Sequence, residues 1–368
     1  MKTLRSYFLR EFLGPLALSV GVISFVMVVV GNLKKVADFV INKGVDPFSV
    51  LQLFMLMTPY IVTYALPISV LIAVLLALGR LSSDNEVVAV RSCGINIAAV
   101  LTPYLFTGFI LSLALVIFND RAASYAHFQY RKTLIDIGVR NPTAAFEEGV
   151  FINSFEKYII FIYRVDQSTN SLSNIRIYEP QGDDKPTRTI VARSGEFITD
   201  PVKKTVKLKL IDGTSDEPDP DNPRNFYKLN FKNYFMNLNL VEGSDGKPIE
   251  KKPKDMSFEE LRAEIQKLRS EGINPAPLIT ELNEKLALAF SCFVFILIGT
   301  ALGIMTRRRE KSINIGIALM VILVYYPLFV GCKALGIQGH VDPYLAMWIP
   351  NLLIGAAGSA LFARVCVY

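Results

Sequence analysis

Histidine is almost missing from this chain. Only His127 and His340 occur, far apart and outside any H-E-x-x-H pattern, so zinc hydrolysis has no ligand set. There is no G-x-x-x-x-G-K-S/T loop to cradle nucleotide phosphates and no G-x-S-x-G nucleophile elbow. The four cysteines, Cys93, Cys292, Cys332 and Cys366, all avoid the polar middle of the chain, and no two have metal-ligand spacing. A disulfide framework and a thiolate metal site are both excluded on that basis. The expectation is a protein that is not an enzyme, with no cofactor and no metal. A large surplus of either charge is missing too. The net charge is +6, and the basic residues are scattered or sit beside apolar segments, which suits lipid headgroups and argues against nucleic acid.

What is present is a layout. Half the residues (51%) are hydrophobic while 20% are charged, the mixture expected of a bilayer part joined to a water-facing part. Three apolar segments come first, then about 160 mostly polar residues, then three more apolar segments. Each apolar segment reaches the roughly 20 residues that a helix needs to cross about 30 Å of hydrocarbon. The segments are read as helices over Phe12–Leu33, Val50–Leu78, Ala98–Phe118, Leu286–Met305, Ile313–Cys332 and Tyr344–Ala363. The first is too long for a signal peptide and lacks a small-x-small cleavage site. Pro59 and Pro67 should kink the second. The fold class expected is therefore an α-helical membrane protein with six transmembrane helices (3+3) and an inserted all-β, jellyroll-like domain. Ionisable residues cluster at the helix ends, unlike an ion-coupled carrier, so energy should come from elsewhere.

Short loops set the orientation. Lys2, Arg5, Arg10, Arg80, Arg91, Arg307, Arg308, Arg309, Lys311 and Arg364 fall on one side, and only Lys34, Lys35, Lys43 and Lys333 on the other. The positive-inside rule places the first side, with both termini, in the cytoplasm and the large insertion on the far side. The domains expected are residues 1–118 with a cytoplasmic coupling helix near 82–94, a β-domain over 119–256, an amphipathic helix and linker over 257–283, and the last three helices over 284–368.

Within the insertion, Val206, Leu208 and Leu210 alternate with Lys207 and Lys209, and Asp212-Gly213 reads as a turn. Further strands are expected at Ala145–Ile152, Lys157–Val165, Ile175–Tyr178, Thr189–Phe197 and Phe226–Phe235, with Asp216–Pro223 as a polar loop. A sandwich or jelly roll fits that spacing. Ser257 and Glu260 form a capping box ahead of a helix whose Phe258, Leu261, Ile265 and Leu268 share one face. Gly299-x-x-x-Gly303 allows close helix packing.

The loop between helices two and three is the sharpest signal. Leu66-Pro67 and an apolar run lead to Leu78-Gly79-Arg80-Leu81, followed by Ser82-Ser83-Asp84-Asn85-Glu86 and Val87-Val88-Ala89-Val90-Arg91-Ser92-Cys93-Gly94. A short cytoplasmic helix follows from this, with Ser83 and Glu86 as a capping box and Gly94 as its stop. The segment resembles the LptF/LptG permease family of the lipopolysaccharide exporter, and the likeness extends over nearly the whole chain, including the Thr306-Arg307-Arg308-Arg309 exit from helix four.

The resemblance implies an inner-membrane permease that pairs with a second LptF/LptG-type permease above an LptB-type ATPase dimer. Lipopolysaccharide would pass through the β-domain to a bridge of LptC/LptA-type jellyroll proteins. It further implies that Asp84, Glu86 and Arg91 couple to the ATPase. Lys34, where LptG-type members carry a lysine, would meet the lipid phosphates with Lys35 and Arg131. Ile159, Phe161, Val206, Leu208 and Leu210 would line the lipid path. Rival readings are a mechanotransmitting subunit that moves no lipid, although such subunits have fewer helices, and a passive envelope scaffold.

Overall fold

The computed structural model describes residues 2–37, 46–140, 149, 151–155, 158–166, 171–180, 187–200, 205–218, 226–238, 250–306 and 311–367. The elements run α1 (Lys2–Ala37), α2 (Pro47–Ser83), α3 (Glu86–Ser92), α4 (Ile97–Phe118), a π-helical turn (Asn119–Ala123) and α5 (Ser124–Arg140). Six strands follow: β1 (Phe151–Phe155), β2 (Tyr158–Asp166), β3 (Ser171–Glu179), β4 (Arg188–Asp200), β5 (Thr205–Pro218) and β6 (Phe226–Leu238). The chain ends with a 3₁₀ turn (Pro253–Asp255), α6 (Phe258–Ser270), α7 (Ala276–Met305), α8 (Lys311–Gln338), α9 (Pro343–Ala346) and α10 (Ile349–Val367).

Six described helices are long and apolar enough to cross a membrane, and they match the six apolar segments in order. Several run further than the hydropathy suggests. The fourth span starts at Ala276, ten residues before Leu286, because Pro275 and Pro277 sit at its start, where a missing N–H costs nothing. Residues after Phe118 stay helical through Arg140 and do not enter the β-domain at once.

The chain divides into two compact units, residues 1–31, 55–128 and 251–368 in one, and 32–54 and 129–250 in the other. In the first unit α7 packs on α2 as the Gly299/Gly303 spacing suggests. A Cβ on Gly299 would lie 3.1 Å from Val74 Cγ1, and one on Gly303 would lie 3.0 Å from Leu78 Cβ. A side chain at either position would make its α2 neighbour give by a few tenths of an ångström. Gly79 is tighter still: a Cβ there would fall 2.0 Å from Nδ2 of Asn314, which α8 buries against it. Gly79→Ala should therefore lower stability by about 1–3 kcal/mol through overpacking, despite alanine's better helix propensity. Asn314→Ala in the same protein should restore the melting temperature, and a Gly79→Ala protein melting like wild type rejects this account. The amphipathic helix α6 joins this unit, with Leu261 and Ile265 buried and Ser257 and Glu260 forming the expected capping box. Lys251 and the Ser257 N–H hold the Glu260 carboxyl below the usual carboxylate range.

The second unit holds the strands, which form one antiparallel sheet in sequential order β1 to β6. Ile160, Ile162, Leu172, Ile175, Ile177, Ile190, Leu208, Leu210 and Met236 make its buried face. The side-chain parity of several strands flips along one row. Ile162 and Val165 share the core face on β2, as do Leu172 and Ile175 on β3, and the two strands keep one register across the change. Asn174 and Asp212 in this row have φ of 53° and 51°. Asp212-Gly213 thus lies inside β5 and is no hairpin turn, since β5 continues to Pro218 and keeps one register with β4 and β6 on both sides of it. Gly213 is required there, because a Cβ would lie 2.4 Å from Val191 O. The rest of the loop expected at Asp216–Pro223, and the start of the strand expected at Ala145, lie outside the described residues. In the same unit the start of α2 meets α5 through Val50, Leu53, Leu134 and Ile137.

Candidate functional site

The link from α2 to α4 is built from its own short-range chemistry. α2 extends to Ser83, whose Oγ donates back to Arg80 O at 2.8 Å. Ser83 therefore does not cap the next helix, contrary to the capping box expected from Ser83 and Glu86. Asn85 occupies that position in the left-handed region, at φ 60°, with no side-chain cap bond. A turn this abrupt leaves no room for the box geometry. The other end is as expected. Gly94 adopts φ 73°, and the Ile95 N–H donates to Val90 O at 3.3 Å, a Schellman closure.

The seven residues of α3 present two faces. Val87 and Val90 enter the core with Phe8, Phe12, Leu81 and Val365, while Val88, Ala89 and Ser92 are exposed beside Asp84. Asp84 Oδ2 lies 3.7 Å from Arg80 Nε. Glu86 Oε1 accepts the Tyr7 hydroxyl at 3.2 Å. Arg91 turns inward and donates from Nη2 to Val365 O at 2.7 Å, capping the carboxyl end of α10. Of the three residues assigned to coupling, Asp84 and Glu86 thus flank the exposed face, and Arg91 holds α3 in place. Ser82 Oγ adds a buried bond to Ile304 O of α7 at 2.9 Å.

The residues assigned to the lipid headgroup fall on two helices. Lys34 and Lys35 fall in the last turn of α1, and their side chains lie outside the described residues, as do Arg307, Arg308 and Arg309. Arg131 sits on α5, partly buried, and donates from Nη1 to Glu250 O at 3.4 Å.

In the β-domain Leu208 and Leu210 are fully buried, as the alternation with Lys207 and Lys209 suggests, and the Val206 side chain lies outside the described residues. Ile159 and Phe161 require a correction. β2 turns Ile160 and Ile162 to the core, and Phe161 joins Phe151 and Tyr163 in an aromatic group on the opposite face. The run Tyr158–Tyr163 is apolar at every position, so period-two alternation cannot choose its inward face.

One constellation was not legible in the sequence. Glu281, Glu284 and Lys285 stand at the start of α7. Lys333 of α8 pairs with Glu284 and, at 3.3 Å, with Glu281. The Tyr64 hydroxyl of α2 donates to Glu284 Oε1 at 3.2 Å and lies 3.2 Å from the Tyr60 hydroxyl. Lys285 Nζ donates to Ser124 Oγ at 2.8 Å and Met256 O at 2.6 Å. His127 Nδ1 lies 2.5 Å from the buried Asp255, and the Asp120 carboxylate accepts the Phe258 N–H at 2.6 Å. The segment leading into α6 is thereby clamped to the π-helical turn, α5 and α7. The signal was the i, i+3, i+4 spacing of the α7 charges, hidden by starting that helix at Leu286 and by reading Lys333 as a loop residue.

The described residues contain no group of three or more His, Cys, Asp or Glu side chains arranged to hold a metal.

The family model described as lipopolysaccharide export system permease LptF/LptG matches residues 6–364. The lipopolysaccharide export system permease protein LptF of Escherichia coli K12 is 23% identical over 305 residues, covering 83% of this chain and 79% of that protein. The LptF proteins of Escherichia coli O157:H7 and Shigella flexneri match to the same extent. A match that runs through both groups of membrane helices and the inserted sheet leaves one assignment: the chain belongs to the LptF/LptG family of lipopolysaccharide export permeases.

Proposed function

We propose that this chain is one permease half of an exporter that draws lipopolysaccharide from the inner membrane, powered by a separate cytoplasmic ATPase. The observation that carries the reading is α3. It is too short to be stable alone, yet it is fastened by Val87, Val90 and Arg91 and turns Asp84, Val88, Ala89 and Ser92 outward. A rigid peg with an apolar centre and an acidic rim suits the cleft of a soluble partner. The basic short loops support a cytoplasmic position for that peg and both termini and a periplasmic one for the β-domain. The names of the matched relatives favour the LptF-type position, with an LptG-type permease opposite and jellyroll partners of the LptC/LptA type beyond.

Lys34, Lys35 and Arg131 would serve the anionic headgroup in this scheme, as interchangeable cations. Acyl chains would then enter the inner face of the sheet. Leu208 is fully buried within that face, so the path requires the sheet to open during the cycle. A photo-crosslinker at Leu208, or at the inward Ile160 or Ile162, should trap lipopolysaccharide in an ATP-dependent manner in the assembled complex. One at Lys207, on the opposite face, should not. Equal trapping from both faces, or none from inward positions, leaves the domain as a docking module and favours the scaffold or mechanotransmitter.

A further inference from the structure

α1 holds on to its own unit unevenly. Phe8 and Phe12 are fully buried beside Val87, Val90 and Tyr104, and beyond them contact narrows to a stripe through Leu16, Ser19 and Ser24. Leu18, Phe25 and Val30, further along, are 67–75% exposed. Polar contacts from the first three turns run to α2, α3 and α4. Tyr7 donates to Glu86 Oε1 at 3.2 Å, and Glu11 Oε2 accepts from Arg80 Nη1 at 2.7 Å. Arg5 Nε donates to Ala99 O at 3.0 Å, and the buried Tyr104 hydroxyl donates to Phe8 O at 2.7 Å. Arg80 and Glu86 stand on either side of the exposed Asp84-Asn85 turn, so both α1 contacts grip the coupling element itself. The two bonds are charge-assisted and directional, which lets them carry displacement where an apolar contact would slide.

We propose that Tyr7 and Glu11 are positioning residues that join α1 to the coupling element, so that displacement of α3 by the ATPase moves α1. This rests on the reading that α3 docks into an ATPase, and it adds the helix to which the motion passes. Glu86 then has two faces of work: one oxygen tied to Tyr7 inside the chain, with the outer side of the carboxylate left toward the partner. Arg80 likewise bridges Glu11 and, more distantly, Asp84.

The test uses the full permease–ATPase complex in proteoliposomes containing lipopolysaccharide. Tyr7→Phe with Glu11→Leu removes both bonds and roughly keeps size. Association with the ATPase and its hydrolysis rate should stay near wild type, while lipopolysaccharide released per ATP falls about tenfold or more, since even one of the two lost charge-assisted bonds corresponds to that factor. Arg80→Lys, which keeps a cation at Glu11, should retain most of the release. A double variant with the release per ATP of wild type overturns the linkage. So does loss of ATPase association in that variant, since Tyr7 and Glu11 would then merely shape α3 for docking. If the wild-type chain binds no ATPase at all, the coupling reading fails first, and this inference with it.

Discussion

Replacing Lys333 by alanine is expected to destabilise the helical unit by about 3 kcal/mol, the low end for breaking a buried ion pair because Lys333 keeps 22% of its side chain exposed. The cost is that of the carboxylates left behind. Glu284 and Glu281 are 6% and 12% exposed, and without the ammonium they face each other with the Tyr64 hydroxyl as the main remaining donor to Glu284. Glu284→Gln should cost less, since the amide oxygen still accepts from Tyr64 and the Lys333 ammonium keeps Glu281. A paired change, Lys333→Met with Glu284→Leu, should recover much of the loss, as replacing a whole buried pair by apolar groups usually does. Thermal melting of the detergent-solubilised protein reads all three. If Lys333→Ala melts like wild type, the pair does not tether α8 to α7.

Glu86→Lys should abolish stable association with the ATPase, and Glu86→Ala should weaken it by the roughly 1.5–3 kcal/mol of a hydrogen bond to a charged group. The internal bond to Tyr7 complicates a simple alanine result, because removing the carboxylate also loosens α1. Glu86→Gln separates the two. It keeps an acceptor for Tyr7 and loses the charge, so it should weaken association if a partner cation reads Glu86, and leave it intact if Glu86 matters only within the chain. Co-purification yield and the coupled ATPase rate are the measurements. Unchanged values in both Glu86→Lys and Glu86→Gln reject the coupling role.

Six membrane helices, their order, the inserted β-domain and the connector after Leu78-Gly79-Arg80-Leu81 were determined by the sequence alone. Those features rest on local quantities: apolar length against bilayer thickness, alternation in strands, and a glycine where a helix must stop. The capping of α3 was misread because Ser83 can bond backward as well as forward, and only the path of α2 decides which. Arg91 read as a partner contact because its acceptor, Val365 O, is far off in sequence. The inward face of β2 was undecidable where every residue is apolar, and it followed from the neighbouring β3, where Ile175 and Ile177 pair with Ile162 and Ile160. The Lys333–Glu284–Tyr64 connection joins three helices, and no residue in it carries a pattern that names its partners. Spacing along the chain reports which groups share an element's face. Which faces meet is set by close packing at positions such as Gly79, Gly299 and Gly303, and that packing alone brings buried charges within reach of one another.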